Sequence, residues 1–315
     1  MVSAAPGTTP ITDQPSRRSV LLSRTEASGT TLGRAGAATF VAPALGLIGL
    51  FLIFPALWTL YLGLTDESLT GISAVEPNFV GLDNYRETLG DPQFTNSLKV
   101  TALFVLGSAL IGQLCLGLLL AWRFKDWKST LRQAIEALVI VAWIIPSSVV
   151  AFLWIALLDG ESGTLNKLLG GVEVEWLLEH PLLAIIVFNT WRGTAFSMLL
   201  MSAALNTLPP SHLETARVSG ASEWQQFRDV IFPAIRGHVL TNLLLISLWT
   251  FNDFTPFLIT AGGPNFETEL LPIYIFRNAI SFGHFGLGAA ISTIMLGINL
   301  VLALIYLRLL RERGT

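Results

Sequence analysis

Six stretches of the chain are apolar over lengths typical of helices that cross a membrane. A bilayer core about 30 Å thick needs roughly 20 apolar residues in a helix. None of the stretches shows the strict alternation of a barrel strand, so we predict an all-α membrane protein with six spans. The predicted spans are 38–63, 96–122, 134–158, 181–205, 239–261 and 284–308.

The composition agrees with this prediction and excludes several other classes of protein. Hydrophobic residues make up 52% of the chain and charged residues 13%, against about 25% charged residues in soluble domains. The net charge of −3 provides no basic surface for nucleic acid. With Cys115 as the single cysteine and four scattered histidines, the sequence contains neither an internal disulfide nor the spacing of a metal site.

Lysine and arginine are distributed unequally between the loops. Fourteen of them lie before span one, after spans two and four, and after span six, whereas the other loops hold Arg86, Lys167 and Arg277. Basic residues concentrate on the cytoplasmic side of membrane proteins, so we predict that both termini are cytoplasmic. Residues 1–34 are rich in Ser, Thr, Gly and Pro and are predicted to be a disordered tail. The alternative, a targeting peptide, fits less well because the first apolar run is too long.

The polar segment Glu214–His238 lies in the predicted cytoplasmic loop 206–238. Ser211 with Glu214, and Ser222 with Gln225, fit the pattern of a helix-starting capping box. Gly220 between them favours a bend, and Pro233 is expected to limit the second helix. In that helix the residues spaced to share one face are Trp224, Phe227 and Ile231. The residues alone allow two interpretations, a stiff connector in the lipid interface or a docking element for a cytosolic partner.

The pattern E-x-A-x-x-x-G-A, followed by an aliphatic residue and proline, resembles the EAA loop of ABC importer permeases. The chain departs from it at Thr215, Ser219 and Phe232, where the family usually has Ala, an acidic residue and Leu. The positions that match are Glu214, Ala216, Gly220, Ala221, Val230 and Pro233.

Two further stretches resemble sugar-type permeases. "FVGLDNYRETLGDPQF" (79–94) is similar to their first external loop, and "FNDFTPFLITAGGPNFETELLPIYIFRNAISFGHFGLGAA" (251–290) is similar to their region from span five to span six. Over residues 38–310 the chain therefore resembles the MalF-like membrane subunits of carbohydrate ABC importers.

The resemblance implies a type I importer permease fold over residues 35–315, in the inner (plasma) membrane of a prokaryote. It also implies a second six-span permease chain, a dimer of P-loop ATPase subunits docked on loop 206–238, and an extracytoplasmic sugar-binding protein. The implied mechanism is alternating access. The chain contains no G-x-x-x-x-G-K-[ST] motif, so we expect ATP and magnesium on the partner ATPase and no cofactor or enzymatic activity here.

Polar residues inside spans are costly and are functional candidates by default. We predict that the substrate path includes Asn189, Arg192, Asn252 and Asp253. Trp191, Trp249, Phe251 and Phe254 lie close to them in sequence, as aromatic faces for a sugar. In a helix Asn252 and Asp253 point about 100° apart, so both cannot face the path equally.

Other readings of these residues stay open. Arg192 and Asp253 could pair with each other or with a neighbouring helix and only hold the bundle together. Asp253 could instead be the ion site of an ion-coupled secondary transporter. Pro146 and Pro256 interrupt spans three and five and are expected to kink them. In the external region near 269–281, Glu269 and Arg277 are candidates for contact with a binding protein.

Overall fold

The computed structural model describes residues 34–125, 127 and 129–311. The predicted tail, residues 1–34, lies outside the described residues apart from Arg34. The chain divides into two units, Met1–Leu57 and Trp58–Thr315. In the described part of the first unit a helix starts at Arg34, and its apolar side chains from Phe40 onwards are exposed.

The described residues are helical almost throughout. Their β pairing is limited to an isolated bridge between Thr65 and Phe79, and short 3₁₀ turns occur at Ile72–Ala74 and Pro264–Phe266. The helices are α1 (Arg34–Ile48, then the π-helical turn Gly49–Ile53, then Phe54–Leu62), α2 (Asp83–Gly90), α3 (Pro92–Phe124), α4 (Thr130–Ile144), α5 (Ser147–Leu158), α6 (Thr164–Leu168), α7 (Trp176–Glu179), α8 (Pro181–Asn206), α9 (Pro210–Val218), α10 (Glu223–Phe251), α11 (Pro256–Thr260), α12 (Leu271–Phe276, then the π-helical turn Arg277–Ser281) and α13 (Phe285–Arg311).

Five helices in the described part of the chain, α1, α3, α8, α10 and α13, are long and apolar enough to cross a membrane. The predicted third span, 134–158, is not one straight helix, because α4 and α5 meet at an angle of 109°. Ile145 and Pro146 are extended, with ψ angles of 135° and 134°, since the ring of a proline disfavours helical geometry in the residue before it. The described residues therefore contain five candidate spans, or six if this bent pair crosses as one.

The predicted fifth span, 239–261, is wrong at its end, because α10 runs from Glu223 only to Phe251. Its end is fixed by the side chain of Asn252, whose Nδ2 donates to the carbonyl oxygen of Leu248 at 2.6 Å. Beyond the break Pro256 opens the separate helix α11, so it does not kink a span.

The expectation that Pro233 limits the second cytoplasmic helix is also wrong. The turn Phe227–Ile231 is π-helical, and Pro233 lies in the first turn after it. A π-helical turn shifts the hydrogen-bond register by one residue, which accommodates a residue that has no N–H to donate. The helix therefore continues without a break into the apolar stretch.

The core is built around the close approach of α3 and α8. A Cβ atom on Gly117 would lie 2.4 Å from the Cβ of Ser197, so only glycine fits at this contact. Small residues of this kind let helix backbones approach closely in membranes. Further along both helices from this contact lies an apolar cluster formed by Ala121, Phe124, Met198, Met201, Ala204, Leu205, Leu208, Leu213, Ile231, Ile235 and Val239.

The external segment between α11 and α13 is tied down by a buried charge. Glu269 is 0% exposed, its Oε1 lies 2.6 Å from Nη1 of Arg277, and its Oε2 accepts from the amide of Gln93. Burial raises the pKa of this carboxyl, although Gln93 and Arg277 oppose the shift. The sequence led us to expect Glu269 on an exposed external surface. The structure instead buries it.

Candidate functional site

A buried network of neutral polar groups, which we call the amide network, joins α3, α8 and α10. Asn189 donates from Nδ2 to Ser108 Oγ at 2.8 Å and to Thr250 Oγ1 at 3.3 Å. Gln113 donates from Nε2 to the carbonyl oxygen of Asn189 at 3.1 Å. All four side chains are at most 5% exposed. Because buried polar groups cost free energy unless they are paired, this network fixes the relative positions of the three helices.

Next to the amide network lies an ion-pair site formed by Arg192, Asp253 and Thr255. Nη1 of Arg192 lies 3.5 Å from Oδ2 of Asp253 and donates to Thr255 Oγ1 at 3.2 Å. The other carboxylate oxygen of Asp253 accepts the N–H of Thr255 at 2.9 Å. The break after α10 thus places the carboxylate opposite α8, one of the two arrangements that the sequence allowed.

An aromatic cluster of Trp143, Phe196 and Trp249 stands beside these polar groups. The ring centroids lie 5.9–6.2 Å apart, so the rings from α4, α8 and α10 contact one another. A cavity of about 20 Å³, with room for about one water molecule, is lined by Gln113, Trp143, Asn189, Arg192, Gly193, Phe196, Ile246, Trp249, Thr250 and Asp253. Little free volume therefore remains between these polar groups within this chain.

The structure separates Asn252 from the other three predicted residues. Asn252 and Asn299 of α13 form a reciprocal amide pair, with N–O distances of 3.1 and 3.0 Å, on an exposed face. Of the four aromatic residues named from the sequence, Trp249 lines the cavity. Trp191 packs instead against Trp154, with a centroid distance of 5.9 Å.

The second predicted site is the loop 206–238, which we call the coupling segment. Helix α9 begins after Pro209, so the predicted start at Ser211 is wrong: a proline at the first helical position has the right φ and needs no donor. The capping box of Ser222 and Gln225 is present as predicted. Gly220 lies between the helices with φ at +80°, a conformation that glycine adopts without steric cost.

The coupling segment is anchored to the spans by apolar side chains. Leu213 and Ile231 are buried in the cluster that includes Phe124 and Met201, and the ring of Phe227 lies 4.7 Å from that of Trp122. Glu214, Gly220 and Pro233 are exposed, whereas the side chains of Ala216, Ala221 and Val230 are half-buried. The outer face of the segment is thus available to another chain while its inner face is fixed.

A large open cavity lies between the coupling segment and the end of α3. Its volume is about 580 Å³, and an exposed ion pair of Arg123 with Glu223, at 3.2 Å, stands at its edge. The lining residues are Trp122, Arg123, Phe124, Lys125, Trp127, Leu213, Arg217, Glu223, Gln226 and Ile231.

Residues 113–313 match the family described as binding-protein-dependent transport system inner membrane component. This range is well over half of the chain, and it contains both the cavity residues and the coupling segment. The chain belongs to this family. It is therefore a permease subunit of an ABC importer, a transport component rather than an enzyme.

Relatives of this permease extend over nearly its whole length. The chain is 29% identical to the trehalose/maltose transport system permease protein MalF of Thermococcus litoralis, over 87% of this chain and 92% of that protein. It is also 29% identical to the sn-glycerol-3-phosphate transport system permease protein UgpA of Agrobacterium fabrum, over 87% and 94%.

A solved structure has the same fold. The crystal structure of a bacterial ABC transporter involved in the import of the acidic polysaccharide alginate superposes with a TM-score of 0.70, at 20% identity. The superposition covers 88% of this permease and 95% of that chain.

Several residues of the cavity were not predicted from the sequence. Gln113 is an amide in an apolar stretch, the same signal that singled out Asn189, and could have been found in that way. Thr250, Trp143 and Phe196 carried no such signal, because threonine and aromatic residues are common in spans. Only the packing of the permease helices brings them to one place.

Proposed function

We propose that this permease moves a sugar across the membrane by alternating access, driven by a separate ATPase that docks on the coupling segment. Both termini and the coupling segment face the cytoplasm. A second six-span permease chain completes the path, and an extracytoplasmic binding protein delivers the sugar. ATP and magnesium are bound by the partner ATPase, because this sequence carries no P-loop.

The observation that carries the proposal is the continuity of α10. This helix starts at the capping box of Ser222 and runs for 29 residues to Phe251, a length of about 44 Å. One end belongs to the coupling segment, and the other end is followed at once by Asn252 and Asp253. A movement imposed at the coupling segment is therefore delivered to the ion-pair site through one continuous helix.

The small volume of the cavity is consistent with a mechanism of two states. At about 20 Å³ it is far smaller than a sugar, so a sugar reaches these polar groups only after the helices that line the cavity, or the two permease chains, have moved apart. Trp249 and Thr250 belong to α10, and Trp143 belongs to α4. A shift of α10 against α4 and α8 would therefore enlarge the cavity between them. ATP drives the change only if one of the two states of the transporter binds it more favourably.

A sugar is the substrate class favoured by the site and by the relatives. The cavity combines amide groups with aromatic faces, which suits a molecule with both hydroxyl groups and apolar C–H faces. One relative, the trehalose/maltose transport system permease protein, is named for two sugars of this kind. Disaccharides and oligosaccharides are therefore the first substrates to test.

The test is to isolate the native complex gently by a tag on the C-terminus and then to measure uptake in proteoliposomes. We expect a P-loop ATPase, a second six-span chain and a binding protein to accompany this chain, and uptake to require ATP. A chain isolated alone, with uptake that follows an ion gradient and ignores ATP, would contradict the proposal. That result would favour the ion-coupled alternative with Asp253 as its ion site, which the pairing of Asp253 with Arg192 disfavours.

A further inference from the structure

We propose that the substrate of this permease carries no net charge where it passes the cavity: it is a neutral sugar or polyol, and sugar acids and phosphate esters are excluded. The inference rests on the proposed function and narrows it. Relatedness does not decide the question, because the relatives named for trehalose/maltose and for sn-glycerol-3-phosphate are equally similar to this chain, at 29% identity each.

The charges at the cavity cancel. Among its lining residues, Arg192 and Asp253 are the ionisable ones, and they form an ion pair of 3.5 Å with side chains only 15% and 9% exposed. The remaining polar lining groups are the amides of Gln113 and Asn189, the hydroxyl of Thr250 and the indole N–H groups of Trp143 and Trp249. A substrate therefore meets a site with donors and acceptors but no net charge.

The positive charge of Arg192 is already compensated by a carboxylate. Its Nη1 is shared between Asp253 and the hydroxyl of Thr255, and Asp253 is itself held by the backbone N–H of Thr255. A phosphate that took Arg192 from this arrangement would leave the Asp253 carboxylate unpaired in a nearly buried place. The displaced carboxylate would also repel the incoming anion at close range.

The other lining groups suit a neutral sugar. The rings of Trp143, Phe196 and Trp249 contact one another at the cavity, and aromatic rings provide apolar faces for the C–H surface of a pyranose. The neutral amide pair of Asn252 and Asn299 adds two amide groups on the exposed face nearby. Apart from the cancelled pair, the residues that line the cavity and this amide pair are uncharged.

The experiment measures binding to the solubilised transporter without its binding protein, so that the selectivity of the permease is observed by itself. The probes are radiolabelled maltose and trehalose as neutral sugars, and sn-glycerol 3-phosphate and inorganic phosphate as anions. We expect the unmodified complex to retain a neutral sugar at least tenfold better than either anion. Better retention of an anion would overturn the proposal.

Two variants of one residue separate charge from packing. Asp253→Asn frees the positive charge of Arg192 and is expected to increase the retention of phosphate at least tenfold. Asp253→Glu disturbs the same packing but keeps the negative charge, and we expect it to exclude phosphate as the unmodified chain does. Equal phosphate retention in both variants and the unmodified complex would overturn the proposal. Failure of the proposed function has a different signature, the absence of ATP-driven uptake in proteoliposomes.

Discussion

The rings of Trp122 and Phe227 lie 4.7 Å apart and join the end of α3 to the π-helical turn of the coupling segment. Phe227 also stacks on Trp224, with a centroid distance of 5.6 Å, and Trp224 is 62% exposed. The two aromatic residues thus divide the segment into an inner and an outer face. Under the proposed function, Phe227 transmits movement and Trp224 contacts the ATPase.

Phe227→Ala is expected to leave the complex assembled but to lower ATP-driven uptake. An aromatic pair contributes about 0.5–1.5 kcal/mol beyond the area it buries, so a loss of uptake of up to about tenfold is expected, with more ATP hydrolysed per sugar moved. Trp224→Ala should instead lower the amount of ATPase that is isolated with this chain.

The control for both variants is Phe282→Ala, at a residue that is 61% exposed and lies outside the coupling segment. Identical behaviour of all three variants would refute the assignment.

Gly220 provides a test of the bend itself. Its φ of +80° costs any residue with a Cβ about 1–2 kcal/mol, although a Cβ there would meet nothing within 4 Å. Gly220→Asp adds a charge to that strain, and we expect it to uncouple uptake from ATP hydrolysis or to disassemble the complex. Gly220→Asn should retain more activity, because asparagine has nearly the shape of aspartate and a similar tolerance of this conformation but carries no charge.

Gly237 is the matched control for the bend. It lies within α10 with equally open space around it, and alanine is favoured over glycine in a helix by about 1 kcal/mol. Gly237→Ala is therefore expected to leave ATP-driven uptake unchanged. If Gly220→Asp behaved in the same way, the bend would have no role in coupling.

The amide pair of Asn252 and Asn299 yields a third prediction. The two residues lie on an exposed face of the chain, Asn252 at the end of α10 and Asn299 on α13. The sequence predicted that Asn252 belongs to the substrate path. Asn252→Ala is expected to raise the sugar concentration for half-maximal uptake several-fold, and Asn299→Ala should do the same because it leaves Asn252 without its partner. Ser202→Ala, at a half-buried polar residue of α8 outside the coupling segment, is the control. Normal affinity and rate in Asn252→Ala would remove it from the path.

The lengths of the apolar stretches were enough to locate most spans, because the thickness of the bilayer imposes a length on each helix. The ends were not predictable in the same way. Whether α10 stops at Phe251 depends on Asn252, which bonds back to Leu248 and across to Asn299, 47 residues away. Such a contact is not visible in a local pattern.

The candidate site was also predictable only in part. Arg192 and Asp253 stood out because charges inside spans are rare, and their pairing was one of the arrangements that the sequence allowed. Which arrangement holds depends on the break after α10, which turns Asp253 towards α8 and leaves Asn252 on the exposed face. The aromatic cluster could not be predicted, because Trp143, Phe196 and Trp249 come from three helices.

The contact between α3 and α8 provides a prediction about stability. Gly117→Ala would place a Cβ 2.4 Å from the Ser197 Cβ and 2.8 Å from the Met198 backbone nitrogen, so the helices must move apart. Overpacking of this kind costs about 1–3 kcal/mol, and we expect a lower unfolding temperature of the purified complex. Gly107→Ala is the control in the same helix, since it meets the flexible end of Ile186 at 3.0 Å; equal effects would refute the argument.

The ion pair of Arg277 with Glu269 is expected to stabilise the external segment far more than the pair of Arg86 with Asp83. The two pairs have N–O distances of 2.6 and 3.0 Å, but Glu269 is 0% exposed whereas the Arg86 and Asp83 side chains are 78% and 69% exposed. Breaking a buried pair leaves a charge uncompensated and costs about 3–5 kcal/mol, against about 0–1 kcal/mol at the surface. Arg277→Gln should therefore lower the unfolding temperature clearly and Arg86→Gln should not.

The pH dependence identifies the charge that is responsible. Burial raises the pKa of Glu269 above its ordinary value of 4.5, so its neutral form is favoured in the fold. The stability from that preference is complete below pH 4.5 and is lost as the pH rises through the raised pKa. The Glu269 carboxylate needs Arg277 only when it is ionised. The destabilisation by Arg277→Gln, measured by thermal unfolding of the complex, is therefore expected to be greatest above the raised pKa, where Glu269 is ionised, and to shrink as the pH falls through it. A difference that is constant with pH would mean that Arg277 acts through its packing on Phe266, whose ring centre lies 4.6 Å from the guanidinium carbon.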